Sequence, residues 1–541
     1  MAFKGAKLFR SFELARLLLF ALVCFLFVPL FAAFMPLFKN GAMANLKRAL
    51  GDPRFIASFK YGLAQAGAST ALALALGLPA AFLTAKRSFP GRRILASMAA
   101  VPFTVPPLII AIAFVLFYGR EGFLNRAIMA LFGLKEAPLS FLYSFKGVVL
   151  SHGFYNFPLV MSFVGNAWAS APKRQENSAR ILGASDGRVF FTISLPSILP
   201  SIGAALSLVF LMCFYSFVIV LLFGSPGAQT PEVELYRAAR FQFDMPLASA
   251  FALAETMVAM VCLALYAAFE KFAGSDRTEV EYSRPVPFES KWGAALAALY
   301  LLFILIFFAS PLVSIFFESF IVRSNPGRTH SYSFGLANYL ELFMRPGFAK
   351  ALLNTLLLGL ASAALASIIG FVFSVTLRSS RSMFLSRVLP LLPLGVSSVV
   401  LAFGWSSLID GFSVFALVAI HSFSSWPFVY RAIHSSLGKS GKAYEKAAIS
   451  LGSTRLGVIF RVFLPLSLPS IASGFALAFA MSAGDANAVI AAPGGGFSTL
   501  GLYIYRLAGA YRFNEACAAA SILFIMSVLV FMLKEPSDGR P

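Results

Sequence analysis

The chain has 541 residues, of which 59% are apolar and 12% are charged, with a net charge of +21 and a mean hydropathy of +0.81. Soluble domains carry about 25% charged residues, and a water-facing globule cannot hide so large an apolar fraction, so most of the chain must face lipid. This composition excludes a soluble enzyme, a disordered protein and a secreted disulfide scaffold, and it assigns the excess lysine and arginine to cytoplasmic loops rather than to a nucleic-acid partner.

Twelve apolar runs are each long enough to cross a hydrocarbon core of about 30 Å, which requires about 20 helical residues. The runs lie at residues 17–38, 58–84, 94–118, 147–169, 197–223, 246–269, 292–317, 347–377, 384–409, 412–433, 466–490 and 514–533. With the N-terminus in the cytoplasm, the inner segments hold 27 of the 44 lysines and arginines, and the outer segments hold 17. Because cytoplasmic loops are enriched in these residues, the sequence predicts an all-α, multi-pass integral membrane protein with both termini in the cytoplasm.

The chain contains two copies of one unit, which align when His152 of the first copy is placed on His421 of the second. In the same alignment the segment 173–202 lies on 442–471, and 13 of its 30 positions are identical without a gap. Each copy holds six predicted helices, and an even number returns the chain to its starting side, so the two six-helix repeats should be parallel. We predict a first repeat, a polar cytoplasmic linker and a second repeat at 1–270, 271–291 and 292–541.

Each repeat carries a polar cytoplasmic loop before its fifth helix, at 173–196 and 442–465. In both loops a glutamate stands seven residues before a glycine, and a Leu-Pro pair begins the next apolar run. This pattern predicts a short helix with a small apolar face, a stop at a left-handed glycine and a new membrane helix, and such a helix suits a groove on another protein. The residues that carry the pattern are Glu176, Ala179, Leu182 and Gly183 in the first loop and Glu445, Ala448, Leu451 and Gly452 in the second.

These loops resemble the EAA motif of the permease subunits of binding-protein-dependent ABC importers. The resemblance implies a type I importer permease in the bacterial cytoplasmic (inner) membrane. It also implies that the loops are coupling helices docked on two separate ATP-binding subunits at the cytoplasmic face, and that an extracytoplasmic solute-binding protein is a further partner. The family consensus places a glutamate six residues before the glycine, where this chain has Asn177 and Lys446 and keeps only the preceding acids.

Fused double permeases of this length occur in the thiamine and ferric-iron branches of that family, and the finer pattern is more similar to the thiamine branch. Residues 118–124, 210–217 and 227–237 resemble corresponding stretches of that branch, whereas the pair Gly484-Asp485 is found in both. The expected solute is therefore thiamine, with ferric iron as the alternative. An ion-coupled secondary transporter is a more distant alternative, which predicts several paired intramembrane charges and no partner-binding loops.

The sequence offers little chemistry of its own. The triplet Gly-Lys-Ser at 438–440 resembles the end of a phosphate-binding loop, but Ile433 stands where the full pattern requires glycine. The four cysteines are scattered through apolar runs and, with four histidines, form no metal-ligand pattern. We therefore expect no enzyme activity, no cofactor and no metal in this chain, with ATP bound by the partner subunits.

Four intramembrane polar residues are candidates for special roles. Glu255 and Asp485 are predicted to lie by the translocation path, with a buried, hydrogen-bonded carboxyl group or an interfacial one as the alternative for each. His152 and His421 occupy equivalent positions in the two repeats, and we expect them to anchor their helices against a partner helix rather than to contact a ligand.

Overall fold

The computed structural model describes residues 27–39, 41–171, 173–224, 227–274, 285–324, 331–377, 389–409, 411, 413–492 and 496–532. Helices dominate this part of the chain, in agreement with the predicted all-α class. The described helices up to the linker are α1 Phe27–Phe38, α2 Ala42–Gly51, α3 Pro53–Lys86, α4 Arg92–Ser97, α5 Val101–Thr104, α6 Pro107–Tyr118, α7 Phe123–Phe132, α8 Phe145–Ala169, α9 Lys173–Ile181, α10 Asp186–Val189, α11 Leu195–Phe214, α12 Val218–Phe223, α13 Pro231–Arg240 and α14 Met245–Gly274.

The described helices beyond the linker follow a similar order. They are α15 Lys291–Ile304, α16 Ser310–Phe320, α17 Ala337–Met344, α18 Phe348–Leu377, α19 Ser398–Leu408, α20 Val414–Ser436, α21 Lys439–Ser450, α22 Arg455–Val458, α23 Leu464–Gly484, α24 Asn487–Ala491, α25 Leu500–Gly509 and α26 Phe513–Met532. Short 3₁₀ turns occur at Met98–Ala100 and Leu389–Gly395, and π-helical turns at Phe190–Ser194, Leu305–Ala309 and Ile459–Phe463. The antiparallel strands β1 Ile321–Ser324 and β2 Ser331–Phe334 pair Ile321 with Phe334 and Ser324 with Ser331.

Among the described residues, nine helices are long and apolar enough to span a membrane, and two bent pairs bring the number to eleven. The tenth predicted run, 412–433, corresponds to α20, a helix of 23 residues that is not among those spans. Its serines, its two histidines and Arg431 lower its hydropathy. Of the first predicted run, 17–38, the residues up to position 26 lie outside the described part of the chain. The remaining residues form α1, which bends by 85° into α2.

Several predicted runs are interrupted helices rather than single rods. The run 94–118 is divided between α4, α5 and α6, and α6 begins at Pro107. A proline has no backbone N–H and restricts the residue before it, so the Pro106-Pro107 pair ends one helix and starts another. The run 384–409 likewise contains a 90° bend between a proline-containing 3₁₀ turn and α19.

The chain forms two compact units, each assembled from segments that are distant in sequence. The first unit comprises Leu50–Glu234 and Met257–Asn338, and the second comprises Met1–Ala49, Leu235–Thr256 and Tyr339–Pro541. Each unit therefore takes segments from both predicted repeats. The repeat boundaries themselves rest on the sequence and stay a prediction, and residues 275–284 of the predicted linker lie outside the described residues.

Glycines allow close helix packing at corresponding places inside each unit. In the first unit, a Cβ at Gly77 of α3 would lie 2.6 Å from Cβ of Val160 in α8. In the second unit, a Cβ at Gly370 of α18 would lie 3.0 Å from Cγ1 of Val429 in α20. Small residues at such contacts let membrane helices approach each other closely. The two valines occupy equivalent positions in the two repeats, so the packing of each unit reproduces the internal similarity of the sequence.

Candidate functional site

The first of the two predicted coupling loops folds as a short helix with a glycine stop. After α9, Gly183 adopts φ +86°, and the N–H of Ala184 donates to the carbonyl of Ala179 at 2.9 Å. This six-residue closure is the hydrogen bond of a Schellman motif, which a left-handed glycine completes at low cost. Ser185 then caps the short helix α10. We call residues 173–185 the first elbow.

The second loop repeats this geometry. Gly452 follows α21 with φ +83°, and the N–H of Ser453 donates to the carbonyl of Ala448 at 2.9 Å. Thr454 caps α22 as Ser185 caps α10 in the first elbow. The predicted left-handed conformation of both glycines is thus confirmed, and we call residues 439–454 the second elbow.

Each elbow presents several large apolar side chains to its surroundings, and a leucine is the most exposed of them in both. Leu182 is 87% exposed and Leu451 is 89% exposed, while Ala179 and Ala448 are half-buried. Exposed apolar side chains that lie next to each other, as Ile181 and Leu182 do, are a feature of partner-binding surfaces. The elbows can therefore offer a leucine knob to a groove on another protein, and the coupling role of these residues stays a prediction.

The glutamates of the two elbows face different environments. Glu176 is only 6% exposed, and its Oε1 accepts a hydrogen bond of 2.7 Å from the Ser194 hydroxyl in the same unit. Glu445 is half-buried. The sequence pattern grouped Glu176 with the docking residues, whereas its carboxylate points into its own unit. The sequence analysis missed Ser194 because this serine lies far enough along the chain to carry no local signal of the contact.

A π-helical turn follows each elbow at the same place in its repeat. The turns Phe190–Ser194 and Ile459–Phe463 occupy equivalent repeat positions, and each leads into a long membrane helix, α11 or α23. π-turns are rare and are found frequently at functional sites. In both repeats, therefore, a π-helical turn joins the elbow to its membrane helix.

Both of these long helices break near the far end. In the first unit α11 ends at Phe214 and α12 begins at Val218, and in the second α23 ends at Gly484 and α24 begins at Asn487. The breaks fall at equivalent repeat positions. Interrupted helices expose backbone groups and helix ends, and transporters use them to form solute and ion sites.

His152 holds the break of the first unit in place. Its Nδ1 is 3.0 Å from Oε1 of Gln65, and its Nε2 is 2.9 Å from the hydroxyl of Ser216 inside the break. The side-chain amide of Gln65 also donates to the carbonyl of Cys213 at 2.7 Å. The anchoring role expected for this histidine is confirmed by these contacts.

His421 occupies the same place in the second unit but has different partners. Its Nδ1 is 2.7 Å from the hydroxyl of Ser482, and its Nε2 lies 3.8 Å from Oδ2 of Asp485, beyond hydrogen-bond distance. The other oxygen of Asp485 accepts a 2.8 Å hydrogen bond from the N–H of Asn487 at the start of α24. Asp485 thus lies at the break, 18% exposed, with one oxygen used to cap a helix.

Glu255 is in a different environment from Asp485. It is completely buried in α14, and neither of its carboxylate oxygens has a hydrogen-bond partner among the described residues. In that part of the chain no hydrogen bond or ion pair joins it to Asp485. The two predicted path residues are therefore not brought together as one site, and their assignment to the path stays a prediction.

A cavity of about 190 Å³ in the second unit was not foreseen from the sequence. Tyr236 and Arg240 of α13, Phe403 and Ser406 of α19, and Ala491 at the end of α24 are among its lining residues. The Arg240 guanidinium donates to the carbonyl of Ala492 at 2.8 Å, and burial raises the pKa of the Tyr236 phenol. The lining side chains are apolar apart from the Arg240 guanidinium, the Tyr236 phenol and the Ser406 hydroxyl, and the cavity lies at the end of the helix segment that Asp485 caps.

Membrane-length helices, two exposed elbows and two broken helices at repeat positions together define a transport permease. Residues 73–273 match the family model described as "Binding-protein-dependent transport system inner membrane component". A putative 2-aminoethylphosphonate transport system permease of Salmonella typhi is 31% identical over 224 residues, which cover 41% of this chain and 78% of that protein. The chain belongs to this family of inner-membrane permease components.

Other relatives match nearly the whole chain. The thiamine transport system permease protein of Salmonella typhimurium is 26% identical over 531 residues, and that of Escherichia coli is 25% identical over 531 residues, each covering 94% of both chains. The corresponding protein of Haemophilus influenzae is 24% identical over 522 residues, or 92% of this chain and 93% of that one. A bacterial ABC transporter that imports the acidic polysaccharide alginate has a solved chain with a TM-score of 0.40 and 18% identity, covering 51% of this chain and 99% of that chain.

Proposed function

We propose that this chain is the permease of a thiamine importer, which receives thiamine from an external binding protein and is driven by ATP hydrolysis on two separate subunits. The observation that carries the proposal is the similarity to thiamine permeases along 94% of both chains. The match to the phosphonate permease covers only 41% of the chain, although its identity is higher. Similarity that includes both repeats supports the thiamine assignment better than similarity confined to one.

The two elbows support the partner side of the proposal. Each places an almost fully exposed leucine beyond a glycine-terminated helix, and the two elbows stand at equivalent repeat positions. One ATP-binding subunit would dock on each elbow, so the single chain would engage two copies. In this proposal the chain lies in the inner membrane with both termini and both elbows in the cytoplasm.

The break in the second unit supports a role in handling a cationic solute. Asp485 offers a partly exposed carboxylate oxygen at a helix interruption, where a positively charged thiazolium ring would be attracted. The thiazolium ring of thiamine is also aromatic and cationic, so aromatic side chains along a path would attract it through cation–π contacts. Glu255 is a further candidate on the path because its buried carboxylate lacks a hydrogen-bond partner among the described residues.

Uptake by cells is the direct test of the substrate. A strain that lacks this gene is compared with the same strain carrying the gene on a plasmid, using labelled thiamine, labelled ferric iron and labelled 2-aminoethylphosphonate in separate assays. We expect the gene to restore thiamine uptake and to leave the other two unchanged. Restoration of iron or phosphonate uptake without thiamine uptake would overturn the thiamine assignment and leave the chain an importer permease for the other solute.

A further inference from the structure

The two helix breaks share a histidine, but the chemical groups around that histidine differ. In the repeat alignment, Ser482 takes the place of Cys213, and Asp485 takes the place of Ser216. The break of the second unit therefore holds a carboxylate where the first holds a hydroxyl. A neutral imidazole carries its proton on one nitrogen only, and its hydrogen-bond partners decide which nitrogen that is.

The partners of His152 place its proton on Nδ1. The side-chain N–H of Gln65 donates to the carbonyl of Cys213 at 2.7 Å, which fixes the amide so that its Oε1 faces the ring. Because Oε1 can only accept, Nδ1 of His152 donates to it over 3.0 Å. Nε2 then accepts from the Ser216 hydroxyl at 2.9 Å. The Ser216 carbonyl accepts a further bond of 2.7 Å from the Thr230 hydroxyl, so the first break is a closed joint.

The partners of His421 favour the opposite tautomer. Its Nδ1 lies 2.7 Å from the hydroxyl of Ser482, which can either donate or accept. Its Nε2 lies 3.8 Å from Oδ2 of Asp485. A lone pair on Nε2 would repel this carboxylate, whereas an N–H at the same place is attracted to it. The Ser482 hydroxyl therefore donates to Nδ1, and the ring proton lies on Nε2.

The corresponding helix of the second unit also lacks the amide that acts on the first histidine. When α3 is aligned with α18 by placing Gly77 on Gly370, Leu358 takes the place of Gln65. Leu358 is buried and has no polar atom in its side chain. The three replacements around the histidine thus agree, because each removes support for a proton on Nδ1 or adds support for a proton on Nε2.

Asp485 keeps one carboxylate oxygen for a solute. Its Oδ1 accepts from the N–H groups of Asn487 and Ala488, and no hydrogen bond among the described residues uses Oδ2. Nε2 of His421 has no hydrogen-bond partner in the same part of the chain. The histidine side chain is 0% exposed, whereas that of Asp485 is 18% exposed. A solute can therefore reach the carboxylate and not the ring, whose N–H dipole stabilises the negative charge from behind.

We propose that His421 is a positioning residue, which as the Nε2–H tautomer holds Asp485 as an ionised carboxylate that receives an organic cation. His152, as the Nδ1–H tautomer, makes the first break a structural joint, so only one of the two breaks contacts the solute. The inference rests on the proposed function for the identity of the cation, whereas the two tautomers can be measured without any solute.

The tautomer test uses the purified full-length permease with nitrogen-15 in its histidine rings, at neutral pH. Nitrogen chemical shifts distinguish protonated from unprotonated ring nitrogens, and the His152→Gln and His421→Gln variants assign the two sets of signals. We expect the proton on Nδ1 of His152 and on Nε2 of His421. Gln65→Leu, which copies the second unit, should move the His152 proton to Nε2 and leave His421 unchanged. The same tautomer in both wild-type rings, or a doubly protonated His421, would overturn the proposal.

The transport test uses the permease reconstituted with its ATPase and binding protein. His421→Asn removes the donor at the place of Nε2 and should lower thiamine transport about tenfold, whereas His421→Gln keeps an amide N–H near that place and should retain most of it. Because His421 acts through Asp485, adding His421→Asn to Asp485→Asn should cause no further loss. Ser422→Ala is the control, since the Ser422 hydroxyl donates to the carbonyls of Val418 and Ser362, outside the break.

Three results of the transport test would contradict a positioning role for His421. They are unchanged transport by His421→Asn, an equal loss in the asparagine and glutamine variants, and an additive loss when His421→Asn is combined with Asp485→Asn. If the wild-type complex moves no thiamine, the substrate assignment fails, and the two tautomers still decide whether the breaks differ.

Discussion

Two glycines illustrate how a single residue can determine the shape of a functional loop. Gly183 and Gly452 have positive φ, and a Cβ built on either would meet nothing within 4 Å. Steric crowding is therefore not the reason for glycine at these positions. The reason is the left-handed backbone conformation. Most residues pay about 1–2 kcal/mol in that conformation, and a β-branched residue pays more.

Replacing both glycines by valine should uncouple the transporter while leaving the chain in the membrane. The Gly183→Val, Gly452→Val variant cannot readily close the two Schellman motifs, so the leucine knobs should lose their orientation and thiamine uptake should fall at least tenfold. The matched control is asparagine at both positions, because asparagine tolerates the left-handed conformation. Uptake and copurification of the ATPase are measured in parallel. Normal transport by the valine variant would refute the coupling role of the elbows.

Asp485 combines a structural task with the role proposed for it on the path. Asp485→Asn keeps a side-chain oxygen for the N–H of Asn487 and removes the charge, whereas Asp485→Ala removes both. We expect Asp485→Ala to lose about 1 kcal/mol of stability through the lost cap, and Asp485→Asn to lose much less. Thiamine uptake should fall in both variants if the charge attracts the solute. Wild-type uptake by a stable Asp485→Asn protein would show that the residue serves only as a cap.

Proline and glycine determine where the helical elements begin, bend and end. The Pro106-Pro107 pair divides one predicted run, and the stretch with Pro390 and Pro393 precedes the 90° bend into α19. The breaks in α11–α12 and α23–α24 contain no proline, and only the second has a glycine beside it, Gly484 at the end of α23. Buried histidines from a neighbouring helix contact Ser216 in the first break and Ser482 just before the second, and hydropathy along the chain does not report these contacts.

The elbow helices should bind the ATPase mainly through their exposed leucines. Replacing Leu182 and Leu451 by glutamate puts charge where the apolar knobs would enter a groove, and it costs the permease little stability because both side chains are almost fully exposed. We expect the double variant to lose copurification of the ATPase and each single variant to lose part of it. Ser178→Glu is a control on the same elbow, at an exposed polar position. Full retention of the ATPase by the double variant would place the contact elsewhere.

At the level of the whole molecule, the orientation in the membrane is open to a direct test. The basic residues predict that the elbows are cytoplasmic and that the segment between α13 and α14 is outside. A cysteine at Gln242 should react quickly with a membrane-impermeant maleimide in intact cells, and a cysteine at Ser450 should react only after permeabilisation. Both positions are exposed, and the native cysteines are removed first. The reverse labelling pattern would invert the topology.

The sequence by itself determined the class of the protein, the repeat and the elbows. An apolar fraction of 59%, the alignment of one half of the chain with the other and the paired glutamate–glycine spacings are properties of the linear chain. Local backbone preferences suffice to turn them into helices with glycine stops. The left-handed glycines were predictable because their conformation depends on only a few neighbouring residues.

Only the tertiary structure decided which segments form each compact unit and which way the polar side chains face. Segments 235–256 and 257–338 are adjacent in sequence but belong to different units. Glu176 and Glu445 occupy the same place in one motif, yet Glu176 turns inward because Ser194, on the π-turn beyond the elbow, offers it a hydrogen bond. Contacts of this kind depend on residues that approach each other only after the helices have packed, so periodicity and motif spacing contain no record of them.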